Sequence, residues 1–170
     1  MPPPRAPTTA GEIVLREVVA GDIELFFEQQ LDPEANRMAA FVAADPSDRA
    51  AFERKWVGIL GDDTTVNRTI FCDGQVAGHV SCWRDPELAY PEVTYWLGRE
   101  FWGRGVATQA LRLFLAEVWT QRPVYGRVAR DNVGSLRVLE KCGFTIVGAD
   151  RAFANARGET VDELLLELRD

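Results

Sequence analysis

The segment from Glu92 to Trp119 constrains the fold more than any other part of the sequence. Residues 92–97 form a β-rich run, and apolar residues recur at helical spacing from Val106 onwards. Gly103 and Gly105 stand between the two. Because glycine has no Cβ, backbone N–H groups here can approach anionic oxygens, and the helix N-terminus adds about half a positive charge. The segment therefore predicts a strand, a loop able to bind a pyrophosphate, and a helix.

Two other phosphate-binding loops fit this segment poorly. A Walker A loop requires Gly-Lys-Ser or Gly-Lys-Thr, and the segment has neither that lysine nor the longer loop. A dinucleotide-binding fingerprint places a third glycine where this chain has Thr108, and no series of parallel βαβ units surrounds it. Nucleoside triphosphate hydrolysis and a doubly wound dinucleotide fold are therefore disfavoured.

The rest of the chain predicts further strands and helices in mixed order. Asp73-Gly74 between two β-rich runs is typical of a hairpin, since glycine accepts the positive φ of a tight turn. Asp22 and Asp131-Asn132 are placed to cap helices, and Gly143 is placed to end one. The predicted strands are 13–19, 68–73, 75–83, 92–97, 124–129, 144–147 with some continuation towards 153, and 160–168, and the predicted helices are 23–30, 34–42, 48–60, 106–119 and 133–142. Antiparallel hairpins thus flank one β-helix-β unit.

Length and charge indicate the domain organisation and the kind of partner. With 170 residues, of which 46% are hydrophobic and 26% charged, the chain has the composition of one globular domain with a sizeable core. We expect a flexible tail at 1–11 and the domain at 12–170. The 19 Lys and Arg against 26 Asp and Glu leave a net charge of −7, so the global field repels nucleic acid and anionic membranes. Neither is expected as a partner.

The cysteine and histidine content indicates no metal site and no disulfide framework. Cys72, Cys82 and Cys142 are odd in number and lack CxxC spacing, so we expect reduced thiols. The single histidine, His79, lies in an apolar run and is expected to be a packed or exposed strand residue. We find no signal-peptide pattern and no stretch of about 18 apolar residues, so the expected location is the cytoplasm.

Two motifs in fixed order resemble the GNAT superfamily of acyl-CoA-dependent N-acyltransferases. Residues 95–98, Tyr-Trp-Leu-Gly, followed by residues 101–110, resemble motif A of that family. Residues 131–144 are similar to its next block, an Asn-x-x-Ser helix that ends in Lys-x-Gly-Phe. Together with residues 157–162, they are most similar to the ribosomal-protein-alanine N-acetyltransferase branch and its small-molecule relatives. The resemblance covers roughly residues 12–169.

The resemblance implies an α+β, three-layer fold of the GNAT type. Its central, mostly antiparallel sheet is flanked by helices, and strands four and five splay apart so that acyl-CoA lies in the gap. The backbone of Tyr95, Trp96 and Leu97 would pair with the pantetheine amides as an extra strand would. Asn132 would meet the pantetheine arm, and Ser135 would point towards the thioester sulfur. The pyrophosphate of the cofactor would be bound by the glycine loop and the tryptophan before it, that is by Trp102, Gly103, Arg104, Gly105, Val106, Ala107 and Thr108.

Glu92 and Ser135 are the candidate catalytic residues that the resemblance implies. The reaction requires an uncharged amine, and Glu92 occupies a position where the family often has an acidic base, so we expect Glu92 to deprotonate the amine through water. The alternative is an exposed strand glutamate. Ser135 is expected to protonate the departing thiolate or to donate a hydrogen bond to it, or else to be a small residue that lets the cofactor approach. Many relatives have a tyrosine acid four residues after this serine, where the present chain has Leu139.

These features predict an N-acetyltransferase that moves an acetyl group from acetyl-CoA to a primary amine by direct attack in a ternary complex. No cysteine stands where a covalent nucleophile would be needed. The acceptor, a protein N-terminus or a small-molecule amine, is left open because a fold does not specify its substrate. A non-catalytic acyl-CoA-binding regulatory module is the alternative function. A homodimer is compatible with the sequence, although no residue pattern requires one.

Overall fold

A seven-stranded sheet forms the centre of the computed structural model, which describes residues 11–84, 86–87 and 90–170. The tail predicted at 1–11 lies outside these residues except for Gly11. The strands are β1 (Ile13–Arg16), β2 (Val66–Cys72), β3 (Gln75–Arg84), β4 (Pro91–Leu97), β5 (Val124–Ala129), β6 (Thr145–Ala154) and β7 (Glu159–Leu168).

The sheet has the strand order β1-β2-β3-β4-β5-β7-β6, and only the pair β4 and β5 is parallel among the described strands. β3 and β4 share seven register pairs, whereas β4 and β5 share one, Glu92 with Tyr125. Beyond this pair the two strands separate. The structure thus confirms the expected α+β fold with a mostly antiparallel sheet and splayed fourth and fifth strands.

Helices pack on both faces of the sheet. They are α1 (Ala20–Gln30), α2 (Pro33–Ala39), α3 (Arg49–Leu60), α4 (Val106–Leu113) and α5 (Val133–Lys141). A 3₁₀ turn at Arg99–Phe101 precedes the glycine loop, and a π-helical turn at Phe114–Val118 extends α4. The single helix predicted at 106–119 is therefore present but finishes in a wider turn.

The main core lies between the sheet and α4, where Val106, Leu111 and Phe114 are almost fully buried. The opposite face carries an aromatic cluster centred on His79 of β3. The His79 ring lies 4.7 Å from that of Phe26 and 5.0 Å from that of Trp56, measured between ring centroids. His79 is therefore a packed strand residue, one of the two readings expected from the sequence.

The start of α1 differs from the prediction because Asp22 has long-range partners. Asp22 is the third residue of the helix instead of its cap, and its carboxylate accepts a hydrogen bond from the backbone N–H of Val19 at 3.0 Å. The same carboxylate accepts from Thr69 Oγ1 at 2.7 Å and pairs with Arg16 at 2.9 Å. These three donors fix Asp22 inside the fold, so the chain enters the helix three residues earlier.

The end of α2 also differs from the prediction. The helix stops at Ala39, because Ala40 adopts a φ of 65° and Phe41 N–H donates to the Ala39 carbonyl at 2.7 Å in a tight γ-turn. The turn brings the fully buried Ala40 against Ala129 of β5 and Ala154 of β6. α2 is thereby held over the face of β5 that lies opposite the main core.

We predict that His79 makes the fold sensitive to acid. Burial, assisted by the charge of Lys55, lowers the pKa of His79 to about 3, whereas an unfolded histidine has a pKa of about 6.5. Between pH 6.5 and pH 3, His79 is protonated in the unfolded state and neutral in the folded state, so the free energy of unfolding falls as the pH drops below 6.5. The loss attributable to His79 should be about 2 kcal/mol at pH 5.

Urea unfolding of wild type and His79→Phe at pH 7 and pH 5 measures this loss. The phenylalanine keeps an aromatic ring in the cluster but cannot titrate, so it separates the ionisation of His79 from its packing. The variant should lose less stability than wild type over this range. An equal loss in both proteins would show that other groups cause the acid sensitivity.

Candidate active site

A cleft opens where β4 and β5 separate. Glu92 is in register with both neighbouring strands, whereas residues 93–97 continue in register with β3 alone. A strand edge without a neighbouring strand presents backbone N–H and C=O groups that can pair with an extended ligand. Tyr95, Trp96 and Leu97, the predicted partners of the pantetheine arm, lie on this edge.

The glycine loop lies at one end of this edge. Gly103 and Gly105 have φ values of 69° and 76°, a region that costs other residues roughly 1–2 kcal/mol. Gly105 occupies the N-cap position of α4, and no side chain of the described residues caps this helix. Its first N–H groups are thus left for another acceptor, and the helix dipole favours an anion there. Gly103 to Thr108 therefore have the backbone geometry that a pyrophosphate site requires.

The side chains of the loop are engaged within the protein. Trp102 Nε1 donates to the Leu97 carbonyl at 3.1 Å, which ties the loop to the end of β4. Arg104 is turned towards the β2–β3 hairpin, with its guanidinium 3.7 Å from a carboxylate oxygen of Asp73 and 5.8 Å from the ring of the buried Phe101. In this arrangement the Arg104 guanidinium contacts the hairpin, and the backbone N–H groups at the start of α4 are the donors available to an anion.

The N-terminus of α5 borders the other side of the cleft. The Asn132 side chain caps the helix by accepting from Ser135 N–H at 3.2 Å, as predicted for this position. Ser135 Oγ lies 2.6 Å from Tyr95 Oη, so a hydroxyl pair joins β4 to α5 across the gap. The sequence motif implied a role for the Tyr95 backbone and none for its side chain. Strand alternation contained the signal, because it places Tyr95 on the same face as Val93 and Leu97 of the core.

Leu139 explains why α5 itself offers no phenol to the cleft. Its side chain is 2% exposed and packs under β5, where a Cβ on Gly126 would lie 3.2 Å from one of its methyl groups. Tyr95 is the phenol that reaches Ser135, and burial raises the pKa of Tyr95 to about 12. Tyr95 therefore stays protonated at neutral pH.

An ion-pair cluster occupies the opposite face of the sheet beside the cleft. Arg127 Nε donates to Glu92 Oε1 at 2.6 Å, and Glu92 is 8% exposed, so the exposed-strand alternative for Glu92 is wrong. Arg127 also donates to Tyr90 Oη at 2.9 Å and lies 3.6 Å from a carboxylate oxygen of Glu163. Burial, with the nearby Glu92 charge, raises the pKa of Glu163 despite the proximity of Arg127.

Neither Arg127 nor Glu163 was predicted as a site residue from the sequence. Period-two alternation along β5 places Arg127 and Tyr125 on the face of the sheet opposite Val124 and Val128, which are buried in the core. A partly buried arginine favours a carboxylate partner, but alternation does not say which carboxylate supplies it. Only the register of the assembled sheet brings Glu92, Arg127 and Glu163 together.

Hydrogen bonds around Arg157 join three segments of the chain. Arg157 donates to an Asp131 carboxylate oxygen at 2.8 Å and to the Arg37 carbonyl at 2.9 Å. Ala156 N–H donates to the Ala40 carbonyl at 3.3 Å. These bonds connect the β6–β7 turn, α2 and the residues before α5, and α2 lies over β5 on the same face of the sheet as Glu92.

The thiols give no sign of nucleophilic chemistry. Cys72, Cys82 and Cys142 are free, and burial raises the pKa of Cys82 to about 12 and that of Cys142 to about 11. Within the described residues no group of three or more His, Cys, Asp or Glu side chains could hold a metal ion. The helices over the same ranges are all too short or too polar to cross a bilayer.

The family assignment agrees with this geometry. A family model described as an acetyltransferase (GNAT) domain matches residues 12–145. The match covers most of the chain, and its two ends enclose the glycine loop, β4, β5 and α5. The chain therefore belongs to the GNAT acetyltransferase family, as the sequence motifs predicted.

A curated relative gives a shorter match. The chain is 28% identical over 87 residues to an uncharacterised N-acetyltransferase, p20, of Bacillus licheniformis. The aligned region covers 49% of this chain and 49% of that protein. The match thus spans about half the length of the curated relative.

Solved structures show the same fold. The spermidine N-acetyltransferase from Vibrio cholerae, in complex with CoA and spermine, aligns with a TM-score of 0.79 and 16% identity over 92% of this chain and 95% of that chain. RimJ of Mycobacterium smegmatis, in complex with CoA-disulfide, aligns with a TM-score of 0.78 and 20% identity over 94% of this chain and 82% of that chain. The microcin C7 self-immunity acetyltransferase MccE, in complex with acetyl-CoA and AMP, aligns with a TM-score of 0.74 and 22% identity over 97% of this chain and 98% of that chain. At these identities the likeness establishes the fold.

We predict that Arg127→Leu lowers the free energy of unfolding by about 2 kcal/mol. The substitution leaves the carboxylates of Glu92 and Glu163 buried without their counter-ion, and the partial exposure of Arg127 reduces the cost below that of a fully buried pair. Urea unfolding measures the change. Adding Glu92→Gln to Arg127→Leu should recover part of the lost free energy of unfolding, because the double variant no longer buries the Glu92 carboxylate without a counter-ion. A single variant as stable as wild type would mean that the ion-pair cluster does not stabilise the fold.

Proposed function

We propose that this chain is an N-acetyltransferase that moves an acetyl group from acetyl-CoA to a primary amine by direct attack in a ternary complex. The observation that carries the proposal is the separation of β4 and β5 after Glu92, with the glycine loop at the end of the free β4 edge. Family membership supports it, as do structural neighbours that were solved with CoA or acetyl-CoA.

The cofactor half of the proposal assigns the cleft to acetyl-CoA. The pantetheine arm would pair with the backbone of Tyr95, Trp96 and Leu97 and meet Asn132, and the pyrophosphate would accept from N–H groups between Trp102 and Thr108. The uncapped N-terminus of α4 and the two left-handed glycines support this assignment. Ser135 would face the thioester sulfur.

The acceptor half of the proposal places the amine on the Glu92 face of the sheet. A free lysine amine has a pKa of about 10.4 and an α-amine of about 8, so either must lose a proton before it attacks. Glu92 would accept that proton through water, and its bond to Arg127 fixes the carboxylate beside the gap. Glu163 is a second candidate for the base, because it lies in the same cluster and burial raises its pKa.

The acceptor is proposed as a primary amine without a narrower class. The structural neighbours carry different second ligands, spermine in one case and AMP in another, so the shared fold does not select among them. The net charge of −7 and the carboxylates of Glu92 and Glu163 favour the approach of a cationic amine. A protein N-terminus and a small-molecule amine both meet this condition.

A non-catalytic acyl-CoA-binding module is the second candidate function. The observation that favours it is the buried Leu139, which occupies the position of the tyrosine acid found in many relatives. Such a module would bind acetyl-CoA with the same loop and cleft but would show no turnover. Binding and turnover must therefore be measured separately.

We predict that Gly105→Val abolishes binding of acetyl-CoA. Valine at a φ of 76° is strained, and its side chain would stand where the pyrophosphate approaches the N-terminus of α4. Calorimetric titration measures the binding, which for wild type is expected to be micromolar, about −8 kcal/mol. Gly158→Val is the matched control, since Gly158 has a similar φ of 64° but lies in the β6–β7 turn. If both variants bind acetyl-CoA like wild type, the loop is only a structural turn.

We predict that Glu92→Gln and Ser135→Ala each lower kcat by about 10- to 1000-fold and change the KM for acetyl-CoA by less than about threefold. Steady-state acetylation of a panel of primary amines measures both constants. Glu163→Gln tests the second candidate for the base in the same assay. Full kcat in Glu92→Gln together with a loss in Glu163→Gln would move the base to Glu163. Absence of turnover with every amine, in protein that binds acetyl-CoA, would favour the binding module.

A further inference from the structure

The hydroxyl pair of Tyr95 and Ser135 joins the strand and the helix that border the cleft. Tyr95 Oη lies 2.6 Å from Ser135 Oγ and 3.2 Å from the Ser135 carbonyl oxygen. Each hydroxyl carries one hydrogen and can also accept, so two hydrogens are shared among these groups. Two arrangements of the hydrogens are compatible with the same positions of the heavier atoms.

The two arrangements differ in where the Ser135 hydrogen points. In the first, Tyr95 donates to the Ser135 carbonyl and Ser135 donates to Tyr95, so both hydrogens are used within the pair. In the second, Tyr95 donates to Ser135 Oγ, and the Ser135 hydrogen is free to point into the cleft. Rotation of the two O–H bonds interconverts them. A negative charge that develops beside Ser135 favours the second arrangement, because hydrogen bonds to charged acceptors are the stronger ones.

We propose that Tyr95 is a positioning residue that makes the Ser135 hydroxyl a hydrogen-bond donor to the sulfur of CoA as that sulfur leaves the acetyl group. This inference rests on the proposed function. The amine nitrogen bonds to the carbonyl carbon, the C–S bond breaks, and its electron pair stays on sulfur as a thiolate. One proton leaves the ammonium ion through water to Glu92 before the attack, and a second leaves the nitrogen to solvent water as the C–N bond forms. The thiolate, bonded to Ser135 while it forms, takes its proton from solvent as CoA departs.

Tyr95 acts in this scheme as a fixed donor. Its pKa of about 12 lies well above the value of about 8.5 for a free thiol, so complete transfer of its proton to the thiolate is unfavourable. A hydrogen bond carries no such cost. Donation by Tyr95 to Ser135 Oγ also polarises the Ser135 O–H bond and strengthens its donation to sulfur. The phenol thus assists from β4, while position 139 of α5 is committed to packing against Gly126.

Titration with CoA and with desulfo-CoA tests this role without catalysis. Desulfo-CoA lacks the sulfur and therefore controls for every other ionisation of ligand and protein. A donor at the sulfur stabilises the thiolate, so the affinity of wild type for CoA relative to desulfo-CoA should rise about five- to tenfold between pH 7 and pH 9.5. In Tyr95→Phe the rise should be at most about twofold. If the role of Tyr95 were purely structural, the affinity ratio of CoA to desulfo-CoA would rise with pH in Tyr95→Phe as much as it does in wild type.

Kinetics of the same variants give an independent readout. Tyr95→Phe should lower kcat by about tenfold with little change in the KM for acetyl-CoA. In the Ser135→Ala background, Tyr95→Phe should have no further effect on kcat, because the Ser135 hydroxyl through which Tyr95 acts is already absent. Tyr125→Phe is the matched control, since its hydroxyl bonds to Glu167 at 3.1 Å on the other face of the sheet. It should behave like wild type in both assays.

The outcomes separate this inference from the proposed function. A wild type that binds no CoA overturns the proposed function, and the role of Tyr95 falls with it. Equal pH dependence in wild type and Tyr95→Phe, or additive losses of kcat in the double variant, overturns the role of Tyr95 alone. If Tyr95→Phe does not fold, Ser135→Ala must lose the pH dependence, because it removes the same donor. Retention of the dependence in Ser135→Ala overturns the inference.

Discussion

The parallel pairing of β4 with β5 ends at Glu92 and Tyr125, and the arrangement of the candidate active site depends on this early separation. A parallel pair that continued would satisfy its own backbone groups and leave no edge for an extended ligand. The antiparallel partners hold the two strands from outside, β3 through seven register pairs with β4 and β7 through six with β5. The gap is therefore kept open by the rest of the sheet.

Side chains bridge the gap differently on its two faces. On the α4 and α5 face, Tyr95 reaches Ser135 through hydroxyl groups. On the opposite face, Arg127 reaches back from β5 to Glu92 of β4 and approaches Glu163 of β7. Strand alternation causes this division, because odd and even residues of β4 point to opposite sides. One strand thereby presents a neutral donor system to one side of the cleft and a charged cluster to the other.

The parts of this arrangement that could be predicted from the sequence have local signals. β5 was predicted with the bounds at which it is found, and the glycine loop and the Asn132 cap follow from residues that are adjacent or three apart. The pairs Tyr95 with Ser135 and Glu92 with Arg127 are separated by 40 and 35 residues, and Asp22 with Thr69 by 47. Hydropathy and spacing describe one secondary-structure element at a time, so they do not predict contacts that depend on the register of the sheet.

The division between the faces also suits the order of proton movements in the proposed reaction. In the proposed reaction a carboxylate removes the proton from the ammonium ion, and on this side of the cleft Glu92 and Glu163 share the guanidinium of Arg127. In the proposed reaction the Ser135 hydroxyl donates to the departing thiolate, and Tyr95, which supports Ser135, stays protonated because burial raises its pKa to about 12. A carboxylate beside the sulfur would repel the thiolate as it forms. Placing the charged groups and the hydroxyl pair on opposite sides of one strand therefore keeps the base close to the amine and its charge away from the leaving group.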